Sequence, residues 1–89
     1  MAQTQSPISD AFSRVVKRHR EKKGLSRAAL AASAGLHQTY IGLLERDERS
    51  PNLHTAKAIA DALELPLSKM LAEAERICKR GRSKTHRIP

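Results

Sequence analysis

Gln38 and Thr39 stand together near the middle of the chain and carry side chains that can contact the edges of nucleobases. A glutamine amide can bond N6 and N7 of adenine together, which discriminates against other bases by about 1–3 kcal/mol. A threonine can donate a hydrogen bond, accept one, or pack its methyl group against the methyl group of thymine. These two residues therefore have the chemistry that reading a nucleic-acid sequence requires.

Positive charge is the second chemical feature of the sequence. The chain has 17 lysines and arginines against 9 aspartates and glutamates, with a net charge of +8. The basic residues form two blocks, at residues 14–23 and 76–87, which flank a slightly acidic middle segment. This balance favours a polyanionic partner, either a nucleic acid or an anionic membrane surface. No apolar run approaches the roughly 18 residues of a membrane span.

The sequence shows no pattern typical of a catalytic or metal-binding site. The four histidines are scattered without metal-ligand spacing, and no nucleophile–base pair, phosphate-binding glycine loop or set of paired carboxylates is evident. We therefore expect a protein that is not an enzyme and that binds no metal or cofactor. Cys78 has no second cysteine with which to pair, and the N-terminus does not resemble a signal peptide, so we expect a soluble, cytoplasmic protein.

The elements that must position these residues are helices. Apolar residues recur at spacings of three and four, and no strand pattern is evident, so the sequence predicts an all-α fold. Ser9, Ser26 and Asn52 are the candidate N-caps of the first, second and fourth helices. Gly24 and Gly35 are expected to end the first two. The predicted helices span residues 10–23, 27–34, 38–46, 53–63 and 66–81, with Pro66 in the first turn of the last.

The second and third helices form the most informative segment, RAALAASAGLHQTYIGLLER, from Arg27 to Arg46. Gly35 can adopt the left-handed conformation of a tight turn, and the small side chain of Ala31 lets the two helices cross closely. Ile41 and Leu44 anchor the third helix on the core. Its outer face is then free to enter the major groove of DNA, which is wide enough for an α-helix.

This segment resembles the phage-repressor and Cro-type (Xre) helix-turn-helix family, and the similarity extends over residues 12–72. The resemblance implies a compact five-helix, lambda-repressor-like DNA-binding domain with the helix-turn-helix at helices 2 and 3. We expect it to span residues 9–81, between a loose arm (residues 1–8) and a disordered basic tail (residues 82–89). The matching residues are Leu25, Ser26, Leu30, Ala31, Ala34, Gly35, Leu36, Tyr40, Ile41, Leu44, Glu45, Arg46, Arg49 and Pro51.

The resemblance also implies roles for individual residues. Bases are expected to be contacted from the first two turns of the third helix and the residue before it. A structural ion pair is expected between Arg20 and Glu45. The base-contacting residues are then His37, Gln38, Thr39 and Leu43, and the phosphate-contacting residues are Lys17, Arg27, Tyr40 and Arg46.

Several positions depart from the family pattern. Arg27 replaces the usual glutamine, and arginine brings more charge to a phosphate contact. His37 replaces serine and is a poorer N-cap. Asp47 replaces glycine in a turn, and aspartate tolerates a left-handed conformation better than most residues. We interpret Gly42, where a serine is common, as permitting close approach to DNA. His19 replaces leucine and is expected to be a partly buried core residue.

The apolar stripe of the fifth helix extends past the point where the compact family domain ends. We interpret it as the interface of a homodimer that packs through the fourth and fifth helices. Two recognition helices about 34 Å apart would then read a near-palindromic operator. The predicted interface residues are Leu65, Leu67, Ala74 and Ile77.

The sequence thus predicts a transcriptional regulator whose partners are double-stranded DNA and a second copy of the chain, with a partner protein as a further means of control. Restriction-modification controllers, phage-type repressors and antitoxins all remain open at this point. The alternative is a protein-interaction adaptor on the same fold that lacks specific DNA readout. The basic first helix and the Gln38–Thr39 pair argue against the adaptor.

Overall fold

The computed structural model describes residues 6–82, and side chains through residue 79. This part of the chain contains five helices and no strand, which confirms the predicted all-α fold. The helices are α1 (Pro7–Lys22), α2 (Arg27–Ala34), α3 (Gln38–Glu45), α4 (Leu53–Ala62) and α5 (Leu67–Arg82).

Two of the three predicted N-caps are confirmed. The Ser26 hydroxyl accepts a hydrogen bond from the Ala29 amide at 3.0 Å and begins α2. The Asn52 side chain accepts one from the Thr55 amide at 2.8 Å and begins α4. Each cap satisfies one of the amide groups that a helix leaves without an internal partner in its first turn. Gly35 ends α2 with a φ of 72°, as the turn requires.

The prediction for the start of α1 is wrong by one turn. Ser6 is the cap, and the helix begins at Pro7, where a missing amide hydrogen costs nothing because a first turn leaves it unbonded. Ser9 is buried inside the helix, and its hydroxyl lies 2.6 Å from that of Ser50 in the loop before α4. Residues 7 and 8 therefore belong to the folded domain. The rest of the predicted arm lies outside the described residues.

The last helix also differs from its prediction. It begins at Leu67, directly after Pro66, and it continues through Gly81 to Arg82. The carbonyl of Pro66 accepts hydrogen bonds from the amides of Lys69 and Met70, so the proline precedes the helix and does not lie within its first turn. The remainder of the predicted basic tail lies outside the described residues.

All five helices contribute side chains to one core. Its largest completely buried apolar side chains are Val15 and Val16 from α1, Leu30 from α2, Ile41 and Leu44 from α3, Ile59 from α4, Leu63 after it and Met70 from α5. The pair α2–α3 packs against α1 and α4, and α5 packs along α1. The aliphatic and alanine-rich composition therefore closes a helical core, in which Phe12 is buried and Tyr40 packs at the edge.

The position of Ala74 corrects one predicted interface residue. Its side chain is 0 % exposed and packs in the core of its own chain, where α5 lies along α1. Ala74 cannot touch a partner subunit, because no part of it reaches the surface. Leu65, Leu67 and Ile77 are partly buried and keep some exposed surface.

Candidate nucleic-acid interface

Buried side chains on one face of α3 fix the orientation of its opposite, outward face. Ile41 and Leu44 are completely buried in the core, which fixes how the helix is rotated. Gln38 and Thr39 lie on the opposite side and are exposed, and Leu43 is half-buried one turn later. Since residues three and four apart share a helix face, the arrangement presents a short polar turn followed by an apolar contact.

His37 is the N-cap of α3 and takes the place of a serine. Its Nδ1 accepts a hydrogen bond from the Thr39 amide at 3.2 Å. A ring nitrogen that accepts carries no proton, so the neutral ring keeps its proton on Nε2. The cap therefore fixes the ring at the tip of α3 and leaves the exposed Nε2–H edge for a partner.

Tyr40 is half-buried and joins α3 to the segment that follows it. Arg49 lies over its ring, with the guanidinium carbon 5.9 Å from the ring centre. Burial raises the pKa of the Tyr40 hydroxyl, although Arg49 and a hydrogen bond with Thr55 oppose this effect. The hydroxyl thus stays protonated at neutral pH and can donate to an anion.

A buried ion cluster ties α3 to α1 and α2. Glu45 is only 1 % exposed and receives hydrogen bonds from Arg20, from Nε to Oε2 at 2.6 Å and from Nη2 to Oε1 at 3.1 Å. Arg20 also donates to the Leu25 carbonyl at 2.7 Å. Burial alone would raise the pKa of Glu45, but the hydrogen bonds from Arg20 and Arg27 lower it below its ordinary value. The carboxylate is therefore charged, and it fixes the C-terminal end of α3.

Arg27 belongs to the same cluster. Its Nε donates to Glu45 Oε1 at 3.0 Å, while its side chain remains 45 % exposed. The first residue of α2 is thereby held beside the last residue of α3. Lys17, the other basic residue predicted to contact phosphate from outside α3, is exposed on α1, three residues before Arg20.

Gly42 lies on the outward face of α3, yet it is buried. A Cβ atom built at this position would lie 3.4 Å from Nη1 of Arg46. The arginine side chain therefore folds back along α3 and covers the glycine. The interpretation of Gly42 as a point of close approach to DNA stays a prediction, and the Arg46 guanidinium lies within contact distance of this position.

Comparison with known proteins agrees with this geometry. Residues 16–70 match the model of a helix-turn-helix family. The control protein C.SmaI of Serratia marcescens is 39% identical over 64 residues, which cover 72% of this chain and 76% of that protein. The immunity repressor of Bacillus phage phi105 is 34% identical over 58 residues, which cover 65% of this chain and 40% of the repressor.

A solved complex extends the similarity to three dimensions. The restriction-modification controller protein C.Esp1396I, a tetramer in complex with its natural 35 base-pair operator, superposes with a TM-score of 0.77. The two chains are 26% identical, and the match covers 83% of this chain and 97% of that one. The chain belongs to the phage-repressor (Xre) type of helix-turn-helix family. Members of this family are DNA-binding transcription regulators.

One departure from the helix-turn-helix family pattern has a clear structural explanation. Asp47, where the family usually has glycine, adopts a left-handed conformation with a φ of 59°. Burial raises the pKa of Asp47, and Asp10 raises it further while Arg14 opposes the effect. The carboxylate therefore lies against the first turns of α1. The expected turn survives with its acidic side chain packed into the domain.

Sequence reasoning missed a second buried carboxylate, Glu73 on α5. It lies 2.8 Å from Nε2 of His19, 2.8 Å from a terminal nitrogen of Arg18 and 3.2 Å from Nζ of Lys69. Burial would raise the pKa of Glu73, but these three partners lower it to about 2. His19 was predicted to be a core residue, and it is largely buried, in a polar cluster. An acidic residue within the apolar stripe of α5 was the one signal for it.

The described residues offer neither a cluster of metal ligands nor a membrane-spanning helix. No group of three or more histidine, cysteine, aspartate or glutamate side chains is placed to hold a metal ion there. In the same part of the chain, no helix is both long enough and apolar enough to cross a membrane.

Proposed function

We propose that this chain is a sequence-specific regulator of transcription that binds a near-palindromic operator as a homodimer, with α3 in the major groove. The observation that carries the proposal is the rigid presentation of α3. Ile41 and Leu44 hold one face in the core, and Glu45 fixes the end of the helix. An exposed polar turn on such a helix is suited to contact base edges.

Base readout would come from the exposed turn of α3. Gln38 and Thr39 are exposed and adjacent, and the Nε2–H edge of His37 lies beside them. Gln38 fits adenine, because its amide can donate to N7 and accept from N6. Leu43 is partly exposed one turn later and can contact a thymine methyl group. The adenine contact would contribute most to specificity.

Phosphate contacts would fix the register of the domain on the duplex. Arg27 is held at the start of α2 by Glu45, and its Nη1 and Nη2 remain for a phosphate oxygen. Tyr40 can donate from its protonated hydroxyl, and Lys17 carries an exposed charge on α1. Arg46 is the fourth residue for which the family implies such a contact. Each neutralised phosphate should steepen the salt dependence of binding by about 0.9 log units per log unit of salt.

Self-association would use the surfaces of the α4–α5 corner and α5. Leu65 and Leu67 are partly exposed at the corner, and Ile77 is partly exposed further along α5. The operator-bound tetramer of the similar controller protein supports an assembly of more than one copy. A symmetric dimer would place its recognition helices about 34 Å apart, one turn of the double helix.

Among the regulator classes, a restriction-modification controller is favoured, because the similarity spans a larger fraction of such a protein than of a phage repressor. The similarity to C.SmaI spans 76% of that protein, whereas the similarity to the phage repressor spans only 40% of the repressor. The chain is thus similar to most of a controller protein and to only part of a repressor.

Selection of bound duplexes from a random-sequence pool tests the proposal. A specific dimer should enrich two half-sites related by a dyad, with centres about one helical turn apart. Sedimentation at micromolar concentration should show a dimer. Failure to enrich any sequence would contradict specific readout and favour the protein-interaction adaptor. An enriched single half-site bound by a monomer would contradict the dimer alone.

A further inference from the structure

The side chain of Arg46, at the C-terminal end of α3, turns back along the helix. A phosphate contact from the end of a recognition helix does not require this conformation. Arg46 follows the last residue of the helix, and its amide still bonds to the Gly42 carbonyl at 3.2 Å. Its side chain reaches back one turn, so that Nη1 lies 3.4 Å from the place of a Gly42 Cβ. The guanidinium therefore covers the outward face of α3 at Gly42, one turn before Arg46 itself.

The direction of this side chain follows from helix geometry. Side chains lean towards the N-terminus of their helix, so a residue covers the surface of the preceding turn. A Cβ at position 42 would only touch Nη1, but a longer side chain there would compete with the guanidinium for the same space. Gly42 leaves that space to the arginine. Its charge thus moves by about one turn, or roughly 5 Å, towards Gln38 and Thr39.

Glu48 contacts the arginine in this conformation. Its carboxylate accepts from Nε of Arg46 at 3.3 Å, and each side chain of the pair is 54% exposed. The bond engages one edge of the guanidinium and leaves Nη1 and Nη2 for another acceptor. Those two donors have the spacing that matches O6 and N7 of guanine, the commonest specific contact of arginine in the major groove.

We propose that Arg46 reads a guanine in each half-site, and that Gly42 determines this specificity by leaving room for the arginine. The inference rests on the proposed function, because it requires α3 to enter the major groove. It replaces the phosphate contact that the family implies for Arg46 with a base contact. Gln38 and Arg46 would then specify an adenine and a guanine from opposite ends of the same helix face.

Binding to duplexes that differ by one base pair tests this assignment. The reference is the duplex enriched in the selection, and each position is substituted in turn. Arg46→Ala should remove the preference for guanine at one position of each half-site, a loss of roughly 5-fold to 150-fold in discrimination. Arg46→Lys should weaken the same preference without abolishing it, because lysine can reach guanine but lacks the rigid two-pronged geometry of arginine.

Changes at Gly42 separate the base contact from the charge. Gly42→Leu fills the space of the guanidinium and should lose the same guanine preference while Arg46 is intact. Gly42→Ala adds one methyl group that only touches Nη1 and should weaken the preference less. Lys57→Ala removes an exposed charge on α4 and serves as the control, with the guanine preference retained. Thermal unfolding of every variant establishes whether it is folded. If Gly42→Leu is not folded, Arg46→Lys still tests the base contact.

The opposing result is equally definite. An Arg46→Ala protein that loses affinity by the same factor for every duplex, with Arg46→Lys restoring it, would show a phosphate contact and overturn the inference. The proposed function would survive that result, because the operator would still be specific. If the selection enriched no sequence at all, the proposed function would fail first and the inference with it.

Discussion

Glu45 and Glu73 both accept hydrogen bonds from basic residues near the end of α1, but they fasten different helices to it. Glu45 binds Arg20 and holds α3, the helix proposed to read DNA. Glu73 binds His19 and Arg18 and holds α5, the helix proposed to contribute to the dimer. Consecutive residues of one helix thus anchor the recognition surface and the assembly surface separately.

Both carboxylates accept hydrogen bonds from basic side chains, but the solvent exposure of these partners differs. The Glu45 side chain is 1 % exposed, and its main partner, Arg20, is 10 % exposed. Glu73 is slightly more exposed, and Arg18 and Lys69 reach it from the solvent. A buried pair is costly to break because the remaining charge has no water, whereas exposed partners can return to solvent. We therefore expect the α3 anchor to be the more rigid of the two.

The largest expected effect is at Glu45. Glu45→Gln should lower the free energy of unfolding by about 3–5 kcal/mol, because Arg20 would stay buried with only the exposed Glu21, 3.8 Å away, as its counter-charge. Urea denaturation at neutral pH measures this quantity. Glu73→Gln is the matched control and should cost less. Equal losses for the two variants would show that burial does not distinguish the two anchors.

Protonation of Glu73 should lower the stability of the fold over a defined pH range. Its pKa falls from 4.5 to about 2 on folding, so the carboxylate stabilises the fold above pH 4.5 and loses that contribution as the pH falls towards 2. The loss should reach about 3 kcal/mol, at 1.36 kcal/mol per pKa unit. Denaturant unfolding at a series of pH values measures it. Glu73→Gln should flatten this acid limb, and an unchanged limb would contradict the role of Glu73.

Arg27 tests whether the Glu45 cluster has an outer, weaker part. Its side chain is nearly half exposed, so Arg27→Ala should lower the free energy of unfolding by only about 1 kcal/mol or less. The same variant should weaken binding to all duplexes alike, because a phosphate contact carries no sequence information. A loss of stability as large as that of Glu45→Gln would place Arg27 inside the structural core of the cluster.

The smallest effect is expected at a pair that belongs to neither anchor. Lys57 and Asp61 form a well-exposed pair on α4 at 2.7 Å, four residues apart. Asp61→Asn should change the free energy of unfolding by about 0.5 kcal/mol or less, as is usual for such pairs on a helix surface. Measured beside the Glu45 and Glu73 variants, it sets the baseline for an ion pair without burial.

Sequence patterns predicted the helices well where the signal was local. Ser26, Asn52 and Gly35 act through bonds or backbone angles within a few residues of themselves, and their roles are confirmed. Ser9 misled the prediction, because a serine followed by aspartate has the composition of a cap. What removed it from that role was Pro7, which starts the helix earlier, and the long-range contact with Ser50.

The site was less accessible to sequence reasoning because its decisive contacts are between side chains. The arginine that covers Gly42 depends on a rotamer, and the burial of Ala74 depends on how α5 is rotated against α1. The Glu73 cluster joins residues 54 and 55 positions apart, which no short motif records. Family resemblance supplied the Arg20–Glu45 pair, and the structure adds Arg27 to it.

The most direct test of the account is to compare Gln38→Ala with Arg27→Ala on a panel of single-substituted operator duplexes. We expect Gln38→Ala to relax discrimination at one adenine position by about 1–3 kcal/mol and to leave the other positions unchanged. Arg27→Ala should lower every affinity by one common factor and reduce the salt dependence. If Gln38→Ala instead weakened all duplexes equally, α3 would not read sequence through this residue, and the central claim would be contradicted.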